Sequence, residues 1–302
     1  MNRLASLFVI IAAMLWGFDG IVLRPALYGL PVPLVVFLES SIVALLLSPI
    51  FIRQYSEIKK LSRLDWLAFL GVALFGGAIG TMAITKALFY VNFVNLSIVI
   101  LIQKLQPVFA LSLAGILLKE KLPKIFFLWA VLAVTGAYFM TFGFSLPNFL
   151  IGDKTFVAAG LSLIAAVSFS SSTVFSKRAL RNVGFEMGTY LRFLLSTVII
   201  IVIATMMGDI TTISSVSTFQ WMIFLIIAFT TGGAAIFLYY YGLKKITASV
   251  ATICELAFPM TAVVLEYFIH KNILNPVQWI GVAVLIFSII KVSRINLNSV
   301  IS

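Results

Sequence analysis

Four ionisable residues stand inside long apolar stretches of this chain: Glu39, Lys104, Arg192 and Glu255. A charge at mid-bilayer costs roughly 2.5–3.5 kcal/mol on insertion scales, so such residues are either paired or functional. Functional here means binding a polar solute or carrying a coupling proton. Two of the four lie in segments that read as copies. Ser97-Ile-Val-Ile-Leu-Ile-Gln-Lys104-Leu-Gln-Pro107 runs on to Lys119-Glu120-Lys121, and Ser249-Val-Ala-Thr-Ile-Cys-Glu255-Leu-Ala-Phe-Pro259 runs on to His270-Lys271-Asn272. Gln103 is the equivalent of Glu255, one position before Lys104, and Glu39 is the equivalent of Arg192. The signs are exchanged between the copies, acid then base in one and base then acid in the other. Ion pairs Glu39–Lys104 and Arg192–Glu255 would lock helices together; the same charges facing a cavity would bind solute or titrate. Both readings stay open. Asp19 and Lys86, of opposite sign and about one turn from a helix end, either snorkel to the interface or form an outer gate. Trp16 and one or two of Tyr239, Tyr240 and Tyr241 can stack on a ring or a cationic head group.

The elements that position these residues follow from composition. The 302 residues are 62% hydrophobic and 10% charged, with mean hydropathy +1.15. Too little polar side chain remains to cover a soluble domain. One Cys and one His leave no disulfide framework and no multi-His metal site. No cofactor and no metal are expected. The chain shows no phosphate-cradling loop, no clustered His and Asp of a membrane enzyme and no channel filter, so no catalytic residue is assigned and a gradient-driven carrier is expected.

A bilayer core takes about 20 apolar residues per helix. Ten segments fit, at 4–23, 33–52, 66–90, 96–118, 125–144, 156–176, 187–207, 219–242, 248–269 and 276–293. Of 21 Lys and Arg, 15 fall at the termini and even-numbered connections, while Arg24, Lys154 and Lys271 fall in the odd ones. The positive-inside rule then places both termini in the cytoplasm. Basic residues scattered over short loops are topology signals and exclude a nucleic-acid surface. The partners expected are the lipid bilayer, a small-molecule substrate and, through the buried carboxylates, a coupling proton; the oligomeric state is not legible.

Ala12-Ala13 aligns with Ala165-Ala166, Leu38-Glu39 with Leu191-Arg192 and Trp66 with Trp221, at a constant offset of 152–155 residues. The expected fold is therefore an all-α integral membrane protein of ten transmembrane helices, as two five-helix repeats at 4–144 and 156–293. Five is odd, so the second repeat enters from the opposite side, and such inverted repeats hold a midplane cavity that rocking exposes alternately. Pro107 and Pro259 free backbone carbonyls mid-membrane and suit kinked helices beside that cavity.

On Trp16-Gly17, the Pro107 and Pro259 pattern and Lys119-Glu120-Lys121, the chain resembles the EamA family of the drug/metabolite transporter superfamily. The family pattern often has an Arg early in the second helix of each half: Arg192 matches it, and Glu39 replaces it. Glu120 matches the family's Glu after the fourth helix, and Asn272 stands in its place in the second half. The resemblance implies a multi-pass protein of the bacterial cytoplasmic (inner) membrane that moves small metabolites, often outward. With mixed-sign charges, the expected cargo is a small polar or zwitterionic metabolite such as an amino acid; uptake of a nucleoside, quaternary amine or other metabolite is the alternative.

Overall fold

The computed structural model describes residues 2–90, 99, 102–103, 105–144, 152–270 and 275–295, with the backbone alone at 2, 3, 152–155, 263, 266, 267, 269 and 270. Among the described residues every regular element is helical. α1 (Asn2–Phe18) opens into a wide π-helical turn (Asp19–Leu23) and a tight 3-10 turn (Arg24–Leu27). α2 (Val32–Ile58) follows; α3 (Arg63–Gly71) continues through π-helical winding at Val72–Gly80 into α4 (Thr81–Tyr90). Then come α5 (Gln106–Leu117), α6 (Lys124–Phe142), α7 (Gly152–Ala179) and α8 (Phe185–Met206). α9 (Thr218–Phe229) bends into α10 (Gly233–Lys245), α11 (Ala248–Cys254) into α12 (Ala257–His270), and α13 (Pro276–Ser293) closes the fold.

Among the described residues, eight spans are long and apolar enough to cross a bilayer. Of the expected fourth segment, residues 99, 102 and 103 and those from Gln106 on are described as helical, and the expected ninth is interrupted after Cys254. The cause of the interruption in the ninth is proline. Pro259 lacks the N–H that would bond the Glu255 carbonyl one turn back. That carbonyl accepts instead from the Phe258 N–H at 2.9 Å, in a tighter turn. Pro107 stands in the same relation to Gln103 and sits in the first turn of α5, where its missing N–H costs nothing.

Helix starts are written locally. Ser62 and Asp65 form a reciprocal capping box at α3, and Ser217 and Gln220 form its counterpart at α9. Each satisfies two otherwise orphaned backbone donors. Trp66 and Trp221 follow directly.

The main helix pairings join residues of the first half to residues of the second. α1 packs on α10 and α12, α7 on α4 and α5, α2 on α8, and α6 on α13. Exchanging the halves turns the α1 pairings into those of α7 and leaves the other two unchanged. The core between them is built from Ala, Val, Leu and aromatic side chains, Tyr240, Phe69, Phe126 and Phe224 among the largest fully buried.

Close approach is achieved by glycine where two backbones touch. A Cβ on Gly281 would lie 2.3 Å from the Met140 backbone nitrogen and 2.8 Å from the Gly136 carbonyl oxygen. Overpacking a tight contact costs typically about 1–3 kcal/mol. Gly281→Val is therefore expected to lower the melting temperature of the detergent-solubilised protein; an unchanged melting temperature would show that α6 and α13 can separate freely.

Candidate functional site

Arg24 carries the first half of the site. The wide turn after α1 and the 3-10 turn at Arg24-Pro25 fold the start of the connection inward, so Arg24 is 9% exposed instead of lying in an outer loop. Its guanidinium contacts Asp19 Oδ2 at 2.6 Å and Glu39 Oε1 at 3.2 Å. It also donates to the Thr85 hydroxyl at 3.1 Å, and Thr231 Oγ1 donates to the other Asp19 oxygen at 3.1 Å. One guanidinium thus ties α1, α2 and α4 together, and Asp19 extends the tie to the bend between α9 and α10. Glu39 pairs with Arg24; Lys104, its partner in the ion-pair reading, lies outside the described residues. Asp19 does not snorkel to the interface, because its charge is neutralised inside the bundle. Lys86, the other half of the expected gate, is exposed, with its Nζ 5.9 Å from the Tyr90 ring centroid. Its neighbours Thr85 and Ala87 are buried, since the next position along a helix turns to another face.

Glu255 carries the second half. It sits at the break between α11 and α12, where the proline-imposed turn places it among side chains of three other helices. Tyr239 Oη donates to Oε1 at 2.6 Å, and Gln106 Nε2 donates to Oε2 at 2.5 Å. Thr173 Oγ1 lies 3.4 Å from Oε1 and 2.9 Å from Tyr239 Oη. These neutral donors replace the expected Arg192–Glu255 ion pair. Arg192 lies within electrostatic reach of Glu255 without touching it. Its guanidinium stands 5.8 Å from the Tyr240 ring centroid, and among the described residues it has no ion-pair or hydrogen-bond partner. Gln103 donates to the Ser162 carbonyl at 2.9 Å.

Between these clusters lies a cavity of about 240 Å³. Trp16, Phe169, Phe193, Tyr239 and Phe258 supply aromatic walls, and Asp19, Arg24, Glu39, Gln103, Gln106, Arg192 and Glu255 supply polar ones. Trp16 and Tyr239 pack with ring centroids 5.3 Å apart and planes tilted by 55°. Of the residues singled out from sequence, the cavity gathers all but Lys86 and the undescribed Lys104. The hydroxyls of Ser172 and Thr252 also line it and have no hydrogen-bond partner among the described residues.

Sequence reasoning missed Arg24, Gln106, Thr173, Thr85 and Thr231. Arg24 follows Asp19 by five residues, the spacing of a π-helical turn, which was a usable signal. Gln106 repeats Gln103 three positions on, immediately before Pro107. Thr173 belongs to a cluster of hydroxyl side chains in α7, Ser168, Ser170, Ser171, Ser172 and Thr173.

A family model described as the EamA-like transporter family matches twice, over residues 3–142 and 157–294. The chain belongs to the EamA-like transporter family. It is a multi-pass membrane transporter with an all-helical, duplicated fold. It is 48% identical to the "Riboflavin transporter ImpX" of Fusobacterium nucleatum over 292 residues, 96% of this chain and 98% of that protein. An uncharacterized transporter of Synechocystis is 27% identical over 235 residues, 76% of this chain and 65% of that protein. A solved structure described only as "Crystal structure of protein" shares the fold, with a TM-score of 0.73 at 18% identity over 99% of each chain.

Removing one partner of a buried ion pair costs roughly 3–5 kcal/mol, because the remaining charge is left uncompensated. Arg24→Ala strands two carboxylates and is expected to lower folded yield and melting temperature sharply. Adding Asp19→Asn and Glu39→Gln to it should recover much of the loss, as read by size-exclusion chromatography in detergent. No recovery would mean that the guanidinium contributes shape rather than charge.

Proposed function

We propose that the protein carries riboflavin, or a closely related flavin, across the bacterial cytoplasmic membrane by alternating access. The carrying observation is the 48% identity to a riboflavin transporter over nearly the full length of both chains. The site supports the same reading. Riboflavin is a planar tricyclic ring with a polyhydroxyl chain and no net charge. A cavity walled by Trp16, Tyr239, Phe169 and Phe193 offers apolar faces for such a ring. The charged groups described in its lining are three carboxylates, Asp19, Glu39 and Glu255, and two guanidiniums, Arg24 and Arg192. Asp19 and Glu39 share the single guanidinium of Arg24, and Glu255 is held by neutral donors. An amino acid would require an acid and a base both free to receive its two charges. With Glu255 largely engaged by neutral donors, and Arg192 without a partner among the described residues, the site favours a neutral aromatic cargo over the zwitterion expected from sequence.

The two halves, 4–144 and 156–293, then act as inverted repeats that rock about the cavity, with both termini cytoplasmic. Opening one end requires releasing the contact of Asp19 with Thr231. Opening the other requires releasing the contacts of Asp65 with Arg178, at 2.6 Å, and of Glu120 with the backbone N–H of Ala248 and Ser249, at 2.8 and 3.1 Å. Each of these contacts joins one half to the other.

Counterflow in proteoliposomes tests this reading. The wild-type protein is expected to exchange labelled for unlabelled riboflavin, with amino acids and nucleosides failing to compete. Glu255→Gln keeps the shape of the side chain while removing its charge, and exchange is expected to fall by at least tenfold, a rise of about 1.4 kcal/mol in the translocation barrier, with insertion intact. Exchange of an amino acid but not of riboflavin would overturn the assignment.

A further inference from the structure

The cavity holds one acceptor and one donor that do not satisfy each other. Glu255 is an acceptor-only carboxylate with room for about four hydrogen bonds. Tyr239, Gln106 and Thr173 occupy three, and the carboxylate borders the cavity. Arg192 is donor-only; it lines the same cavity, lacks a partner among the described residues, and is close to Glu255 without touching it. Ser172 adds a buried hydroxyl without a partner beside it: a Cβ on Gly76 would lie 2.1 Å from Ser172 Oγ and 3.3 Å from Arg192 Nη2. Unpaired polar groups buried in a membrane protein are costly. A ligand that supplies an N–H to Glu255 and an adjacent carbonyl to Arg192 would satisfy both.

A flavin ring carries one edge of that kind, the imide, in which an N–H stands between two carbonyls. The aromatic geometry favours this edge over the flexible hydroxyl chain. Tyr239 belongs to the Trp16–Tyr239 pair and also hydrogen-bonds Glu255. A ring resting on that pair therefore has an edge within reach of the carboxylate. The lining charges leave no cationic surplus for a phosphate, since the described carboxylates outnumber the guanidiniums.

We propose that Glu255 and Arg192 form the specificity subsite that reads the imide edge of the flavin ring, Glu255 accepting from the imide N–H and Arg192 donating to a flanking carbonyl. This rests on the flavin reading above. The prediction concerns analogues as much as variants. A site built to hydrogen-bond an N–H rejects the ligand that lacks it far more strongly than a merely hydrophobic pocket does.

Competition against labelled riboflavin in wild-type proteoliposomes is the test, and it does not depend on the folding of a variant. Lumichrome, which keeps the imide and lacks the hydroxyl chain, is expected to compete. Riboflavin methylated at the imide nitrogen is expected to compete at least tenfold more weakly than riboflavin, and flavin mononucleotide also weakly. Arg192→Met is expected to raise the riboflavin concentration needed for half-maximal exchange by roughly tenfold. Equal competition by riboflavin and its methylated form, or an unaltered Arg192→Met, would overturn the subsite while leaving riboflavin transport standing. Absence of riboflavin exchange by the wild type would instead overturn the function on which the subsite depends.

Discussion

A guanidinium cannot stay inside an apolar bundle without acceptors, and the arrangement around Arg24 is built on that constraint. Two carboxylates and a hydroxyl converge on it, from α1, α2 and α4, and Thr231 binds the far side of Asp19. The cost of burying three charges is offset only when all are kept together. That requirement fixes the turn after α1, the depth of α2 and the position of the bend between α9 and α10. The cavity lies against this cluster, so its shape depends on the same contacts.

The second organising device is backbone interruption at matched places in the two halves. Pro107 and Pro259 break the helical ladder one turn after Gln103 and Glu255. Non-helical backbone at membrane depth is tolerated where it is buried or lines a cavity, and here it does both. The winding at Val72–Gly80 and the bend at Thr230–Gly232 occupy corresponding helices. In the first, glycines allow contact with α7 and α8: a Cβ on Gly77 would lie 1.8 Å from Ser196 Oγ. The halves thus share a scaffold of breaks and differ in the side chains placed at them. Glu39 is paired within its own half, whereas the equivalent Arg192 is left facing the cavity.

Much of the architecture was legible because hydropathy reports directly on bilayer crossing, and because the repeat offset is constant along the chain. That Glu39, Gln103, Arg192 and Glu255 were candidates for one cavity followed from depth and symmetry, and they line it together with Trp16, Asp19 and Tyr239. Pairing did not. Depth counted along ideal helices cannot register that a π-helical turn and a 3-10 turn carry Arg24 back into the bundle, so Arg24 was read as a loop residue and its contact with Glu39 was missed. The Arg192–Glu255 pair failed for a related reason. Opposite charges at equal depth suggested contact, but the break at Pro259 turns Glu255 toward Tyr239, Gln106 and Thr173. Lys86 is exposed, which fits the interfacial reading and not the gate with Asp19, because depth alone does not say which face of a helix a residue occupies. The cargo was inferred from charge signs, which are informative only once it is known which charges remain unpaired.

The account places a flat, uncharged ring against Trp16 and Tyr239. Flavin fluorescence reports such stacking directly, because electron transfer from an indole or phenol in contact with the ring quenches it. Titrating riboflavin with purified protein in detergent should therefore give saturable quenching at fixed stoichiometry, and replacing Trp16 by Leu should weaken both the quenching and the affinity. Riboflavin fluorescence unaffected by the wild-type protein, or quenched equally by Trp16→Leu, would contradict the claim that this cavity is where the flavin binds.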